Sequence, residues 1–381
     1  MMDKDNIVEI NLERLHYLLR LFGLSEDEFM AMLNSGYKRV LDRDEVFTKD
    51  MSITLLKRID KIFNKGIYYY IDFSPIPDGH HASIFFRKQS FNGQLNIEAR
   101  RMVDKFETLK NTLDTYNTLA DVSFDRLLPS YSVKDNPREI AHVIGDLLKM
   151  RSHKDEKDHL KFLINQLAKL NIYVFEYIET ANKKNKSNVE GFFIAPNVIV
   201  VKRQQGKMKR ELFTLAHELG HCVINVEEVE NVSDELSSGL TEIEKWCNDF
   251  AFYLLMGEEA VKLDHLMYAN AQNDYAHDMI KEMSDTTHVS MLALYTRLVI
   301  EKKMSRDDYS LVRGGIMAIV RRADEKRRQE AAADNFLSSP RPIISNLFRD
   351  TMQCALFKGV IDEATFCQQL NIKPEKMEAY L

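Results

Sequence analysis

The chain has 381 residues, 45% of them hydrophobic and 29% charged, which suits two or three soluble globular domains, each able to bury a core. A formal net charge of −6 excludes a global basic field for nucleic acid, so any DNA contact has to be local. The four cysteines, Cys222, Cys247, Cys354 and Cys367, contain no C-x-x-C pair, which argues against a disulfide framework and suits a reducing compartment.

The polar start, Met1 to Asn6, leads into no apolar signal region. No stretch approaches the ~18 uninterrupted apolar residues of a membrane span. A cytoplasmic protein with no membrane partner is expected. Residues 1–75 read as an N-terminal helical domain. Leu12, Leu15, Leu18, Leu19 and Phe22 form one amphipathic pattern that Gly23 stops, and Ser25 followed by Glu26, Asp27 and Glu28 restarts a helix. A third helix is predicted from Ser52 to Asn64. Leu19 to Phe29 resembles the opening of a Cro-type helix-turn-helix domain. Acids are at least as frequent as bases here and no base-reading helix is evident, so a packing or partner-binding role is favoured over DNA binding.

Residues 76–135 read as a connecting region. Pro75, Pro77, Asp78 and Gly79 mark a boundary, Ala82 to Lys88 a short strand, residues 96–120 a long charged helix, and Leu127 to Pro137 a linker. His80 and His81 read as surface residues rather than metal ligands. A peptidase-like unit is expected over 136–310. Two helical patterns, from Arg138 and from Leu160, precede three predicted strands, at Ile172 to Ile178, Val189 to Ile194 and Val198 to Lys202. The lysine-rich loop from Asn182 reads as a solvated connection, and Pro196-Asn197 as a turn.

Directly after these strands stands His217-Glu218-Leu219-Gly220-His221, an H-E-x-x-H sequence. On a helix, His217 and His221 fall about 40° apart and one turn above each other, so both imidazoles can reach one metal ion. Leu212, Leu215, Ala216, Leu219 and Val223 form an apolar stripe on roughly the opposite face. Glu218 projects where it can meet a metal-bound water without being a ligand, the place of a general base. No histidine follows at the metzincin position, so the third ligand has to come from elsewhere. The candidate is Glu244, at the start of a second predicted helix, Thr241 to Met256, whose apolar positions are Cys247, Phe250, Ala251, Leu254 and Leu255. Glu242, Asp249, Glu227, Glu228 and Glu230 compete with it. Two imidazoles and a carboxylate suit zinc, and they also suit manganese or iron. Tyr253, His265, His277 and Tyr295 are all possible oxyanion donors, and nothing separates them.

Arg210 to His221, followed by Glu244-x-x-Cys247-Asn248-x-Phe250-Ala251-x-x-Leu254-Leu255-Met256, resembles the ImmA/IrrE family of metallo-endopeptidases over about residues 136–300. Val289 to Leu298 is similar to that family's closing helix. The resemblance implies His217, His221 and Glu244 as metal ligands, a gluzincin-like set, with Glu218 as general base. Cys247 stands where the family has alanine, and Gly257 where it has proline after Met256.

Residues 311–381 read as a C-terminal helical region, with a mixed-charge exposed helix from Val320 and a break at Ser338 to Pro342. The expected fold is α+β: a zincin-like core, made of a small antiparallel sheet and active-site helices, flanked by helical domains. The resemblance further implies a zinc endopeptidase that cleaves a helix-turn-helix repressor encoded nearby on a mobile element, and so derepresses genes. Two alternatives are a metal-sensing transcription regulator that binds DNA through its N-terminal helices, and a non-catalytic partner-binding protein on the same fold.

Overall fold

The structure, a computed structural model, describes residues 7–76, 95–151, 153, 155–179, 185–204, 208–228, 240–266, 274–333 and 341–381. The strand expected at 82–88, the His80-His81 pair and Glu230 lie outside the described residues. The fold is mixed α+β, and the chain divides into two compact units, Met1–Glu107 and Thr108–Leu381.

The first unit contains β1 (Ile7–Glu9), α1 (Leu12–Leu21), α2 (Glu26–Asn34), α3 (Arg43–Val46), β2 (Asp50–Ser52), α4 (Ile53–Phe63) and α5 (Ile67–Ile71). Its helices begin where the sequence offers caps. The Ser25 hydroxyl accepts from the Glu28 amide while Glu28 accepts from the Ser25 amide, a reciprocal capping box. The Ser52 hydroxyl caps α4 by accepting from the Leu55 amide, and Asn64 closes the helix in a left-handed conformation. The apolar stripes meet in one core, where Phe22 and Phe29 both lie against Phe63. The all-helical reading of this segment missed the antiparallel pair β1–β2. Three-residue strands are too short to set up a period-two pattern.

In the second unit, after α6 (Ile97–Leu119), which spans the division between the units, come α7 (Pro137–Leu147), α8 (Glu156–Ala168), β3 (Tyr173–Glu179), β4 (Gly191–Ile194) and β5 (Val198–Gln204). They lead to α9 (Met208–Ile224), α10 (Glu242–Met256), α11 (Ala260–Asp264), α12 (Asp274–Thr287), α13 (Met291–Ile300), α14 (Arg306–Ala333), α15 (Asn346–Phe357) and α16 (Glu363–Gln369). The sheet has the order β3-β5-β4. β4 and β5 pair antiparallel, but β3 and β5 pair parallel, Tyr173 opposite Val198, so the expected antiparallel sheet is corrected to a mixed one. The cause is the run Val198-Ile199-Val200-Val201. All four residues are buried, which demands cover on both faces and places β5 in the centre, between the two strands that precede it. Its C-terminal end is charged yet sealed, because Lys202 meets Glu190 at 2.8 Å and Arg203 meets Glu176 at 2.8 Å.

The segment expected to be a linker, Leu127 to Pro137, is a packed strap. Leu128 is buried, the Tyr131 amide donates to the Val223 carbonyl, and the Trp246 indole donates to the Asp135 carbonyl at 2.8 Å. Its polar composition conceals backbone groups that the core itself satisfies. The C-terminal helices are likewise built onto the sheet. Phe348 on α15 packs edge-on against Phe175 of β3, and Thr351 bonds the Tyr173 hydroxyl at 2.6 Å.

α9 packs on the sheet and on α10, which also packs on α7, within one hydrophobic core. The leucine stripe of α9 is buried as expected. The opposite face is not solvated, because Glu218 and His221 are buried as well. α10 covers one flank of the histidine face and β4 the other.

Candidate metal centre

α9 presents His217, Glu218 and His221, and α10 presents Glu244. Thr241 caps α10, its hydroxyl accepting from the Glu244 amide at 3.1 Å, so the carboxylate leaves the first helical turn at a fixed place. One carboxylate oxygen lies 3.1 Å from His217 Nε2 and the other 3.1 Å from His221 Nε2, and the two Nε2 atoms are 3.2 Å apart. Among the described residues these three form the one group of metal-ligating side chains whose donor atoms all lie within 4.8 Å of one another.

The three ligating side chains leave these competitors out of the cluster. Asp249 pairs with Arg297, Glu227 accepts from the Ala195 amide at 2.8 Å, and Glu242 is exposed. Of the possible oxyanion donors, Tyr253 is bonded to Arg297 and Tyr295 to His277, while His265 lies at the end of α11. Gly257 ends α10 at φ +50°, a conformation proline cannot take.

Burial works against charge at both His217 and Glu244, and their mutual attraction overrides it. For His217 the carboxylate of Glu244, with Glu218 and Asn248, outweighs desolvation and pushes the imidazole up to about 9. For Glu244 hydrogen bonds and charge from both imidazoles outweigh desolvation and hold the carboxyl well below the usual range. Glu244 is therefore anionic and His217 is held protonated beside it, so a divalent cation binding at these atoms displaces that proton.

Two contacts beside the cluster were missed by sequence reasoning. A Cβ on Gly191 of β4 would lie 2.6 Å from Thr214 Cγ2 and 3.0 Å from Glu218 Cγ, so only glycine lets the strand pass this close to the proposed base. Asn248, one turn after Glu244, places Oδ1 2.9 Å from His217 Nδ1. Its spacing of four residues from Glu244 was the available signal.

Four-coordinate zinc with bonds of about 2.0–2.1 Å separates its ligand atoms by roughly 3.3–3.4 Å. The 3.1–3.2 Å separations here fit that set with little adjustment.

Residues 167–299 match the family model Peptidase_M78, described as the IrrE N-terminal-like domain, and this range includes α9, α10 and α13. No curated protein matches the chain. A metallopeptidase family implies a metal ion, and the His-His-Glu group lies inside the matched range. Residues 167–299 are thus similar to the IrrE N-terminal-like domain of the Peptidase_M78 family.

Proposed function

We propose that this protein is a zinc-dependent endopeptidase that makes a limited cut in one regulatory protein, a helix-turn-helix repressor, and so derepresses the genes it silences. The observation that carries the reading is the convergence of His217, His221 and Glu244 beside Glu218, within a peptidase family match. His217, His221 and Glu244 would hold the ion. Bound there, it would supply Lewis-acid polarisation of the scissile carbonyl and make water more acidic.

The chain's own residues supply the rest. Glu218 takes a proton from the attacking water at its carboxylate and passes it to the leaving amine nitrogen. β4 pairs only with β5 among the described residues, and Gly191 brings it against Glu218. An extended substrate segment laid along that edge as an added strand is held across the site. Selecting one partner needs contacts remote from the scissile bond, and we assign these to regions before 136 and after 310, flanking a peptidase domain at 136–310. No helix among the described residues is long and apolar enough to cross a membrane, and all four cysteines are free, which supports a cytoplasmic reading.

The test incubates zinc-loaded protein with the repressor encoded beside it and, separately, with unfolded casein. One or two defined cuts in the repressor with casein left largely intact support the reading. Extensive casein digestion defeats the selectivity claim.

A further inference from the structure

Asn248 is not one of the three clustered ligands, yet its Oδ1 lies 2.9 Å from Nδ1 of His217. An amide oxygen only accepts, so Nδ1 of that ring carries a proton and donates it. The opposite nitrogen, Nε2, is the atom that faces Glu244 at 3.1 Å and His221 at 3.2 Å.

The two histidines differ in what else holds them. The His221 side chain is 2% exposed and is wedged in the core between α9 and α10, so packing fixes its ring. The His217 side chain is 15% exposed, so packing encloses its ring less completely. A hydrogen bond to Nδ1 restricts rotation of that ring. Because Asn248 stands one turn beyond Glu244, α10 supplies a ligand for the ion and a tether for another ligand from the same face. The next residue, Asp249, is paired with Arg297 of α13, which anchors this turn of α10 from a second side.

We propose that Asn248 is a positioning residue that fixes the tautomer and ring plane of His217 for metal binding, acting as an acceptor through its amide oxygen. The proposal rests on the metal reading given above. A neutral amide does this without adding a second carboxylate to a site that already contains Glu244 and Glu218. Outer partners of ligating histidines typically contribute about 10–100-fold in metal affinity.

The experiment measures zinc affinity of the full chain by chelator competition for wild type, Asn248→Leu and Asn248→Asp, with the melting temperature of each metal-free protein alongside. Leucine keeps the side chain's size and removes the acceptor. Aspartate keeps an acceptor and cannot donate. The expected result is about 10–100-fold weaker binding for Asn248→Leu, with wild-type or tighter binding for Asn248→Asp. A metal-free melting temperature of Asn248→Leu close to wild type separates positioning from folding. Should Asn248→Leu not fold, Asn248→Ala takes its place in the comparison. Wild-type affinity in Asn248→Leu overturns the proposal. So does an Asn248→Asp variant as weak as Asn248→Leu, since the amide would then be donating. A wild-type protein that binds no zinc defeats the metal reading itself, and this assignment with it.

Discussion

Gly220 of α9 and Cys247 of α10 meet almost backbone to backbone: a Cβ on Gly220 would lie 3.2 Å from Cys247 Cα and 3.3 Å from its Cβ and Sγ. This contact sets the distance between the helix that carries both histidines and the helix that carries Glu244. The glycine inside H-E-x-x-H is therefore a spacer, and a small residue at 247 completes it.

Gly220→Ala sets two effects against each other. Alanine gains about 1 kcal/mol in helix propensity over glycine, while overpacking a close contact costs about 1–3 kcal/mol. Gly220→Val removes the ambiguity, because the added volume has to separate the helices. We expect Gly220→Val to lose metal and to melt lower than wild type, with Cys247→Ala close to wild type in both. Metal analysis and thermal melts of the purified variants check this, and a Gly220→Val protein with full metal occupancy would show that the contact does not set the ligand spacing.

The ligand assignment makes its own demand. His217→Ala, His221→Ala and Glu244→Ala should each bind zinc far more weakly than wild type, because a two-ligand site holds the ion poorly. Glu242→Ala should keep it, because Glu242 is exposed. Asp249→Ala should also keep it, because Asp249 is tied to Arg297. Titration with zinc under chelator competition distinguishes the five variants, and full occupancy in Glu244→Ala would contradict the assignment.

A pH effect is expected from the first turn of α9. Burial, with the Glu176 carboxylate beside it, pushes Glu211 up to about 10 despite the nearby Arg203 guanidinium. The folded protein therefore keeps this proton over a range where the unfolded chain, with an ordinary value near 4.5, has lost it. The unfolded state binds fewer protons there, so this group lowers stability as pH rises from about 4.5 towards 10. Glu211→Gln removes the penalty. It should be more stable than wild type at pH 8, by more than about 1 kcal/mol, with the gap shrinking towards pH 5. Urea melts at both pH values test this, and a gap that stays constant or widens on acidification would refute it.

The N-terminal unit bears on the regulator alternative. α1 and α2 flank a turn of the kind the sequence suggested, but the helix after them, Arg43–Val46, is one turn long, and its Arg43 pairs with Glu26 and Asp27. We expect the full-length protein to show no sequence-selective binding to duplex DNA at physiological salt. A gel-shift selection that enriches a defined sequence would favour the regulator instead.

The sequence was most informative where one helix carries its own periodicity and caps. The histidine spacing on α9, the start of α10 at Thr241 and the bounds of α4 at Ser52 and Asn64 follow from local geometry, and the structure places them there. What depends on a partner element was not legible. The place of β5 between β3 and β4, the strap that Trp246 pins at Asp135, and the closeness of Gly191 to Glu218 are all contacts between segments far apart in the chain. Asn248 lay between these cases, since its position relative to Glu244 could be read but its partner could not.

The most direct test of the central claim compares wild type with Glu218→Gln, measuring bound zinc and cleavage of the neighbouring repressor on the same preparations. Wild type should bind one zinc per chain and cut the repressor at defined sites. Glu218→Gln should keep the same zinc content and repressor binding, with cleavage reduced by at least about 100-fold. Unchanged cleavage by Glu218→Gln, or cleavage by wild type that persists after complete removal of metal, would contradict the central claim.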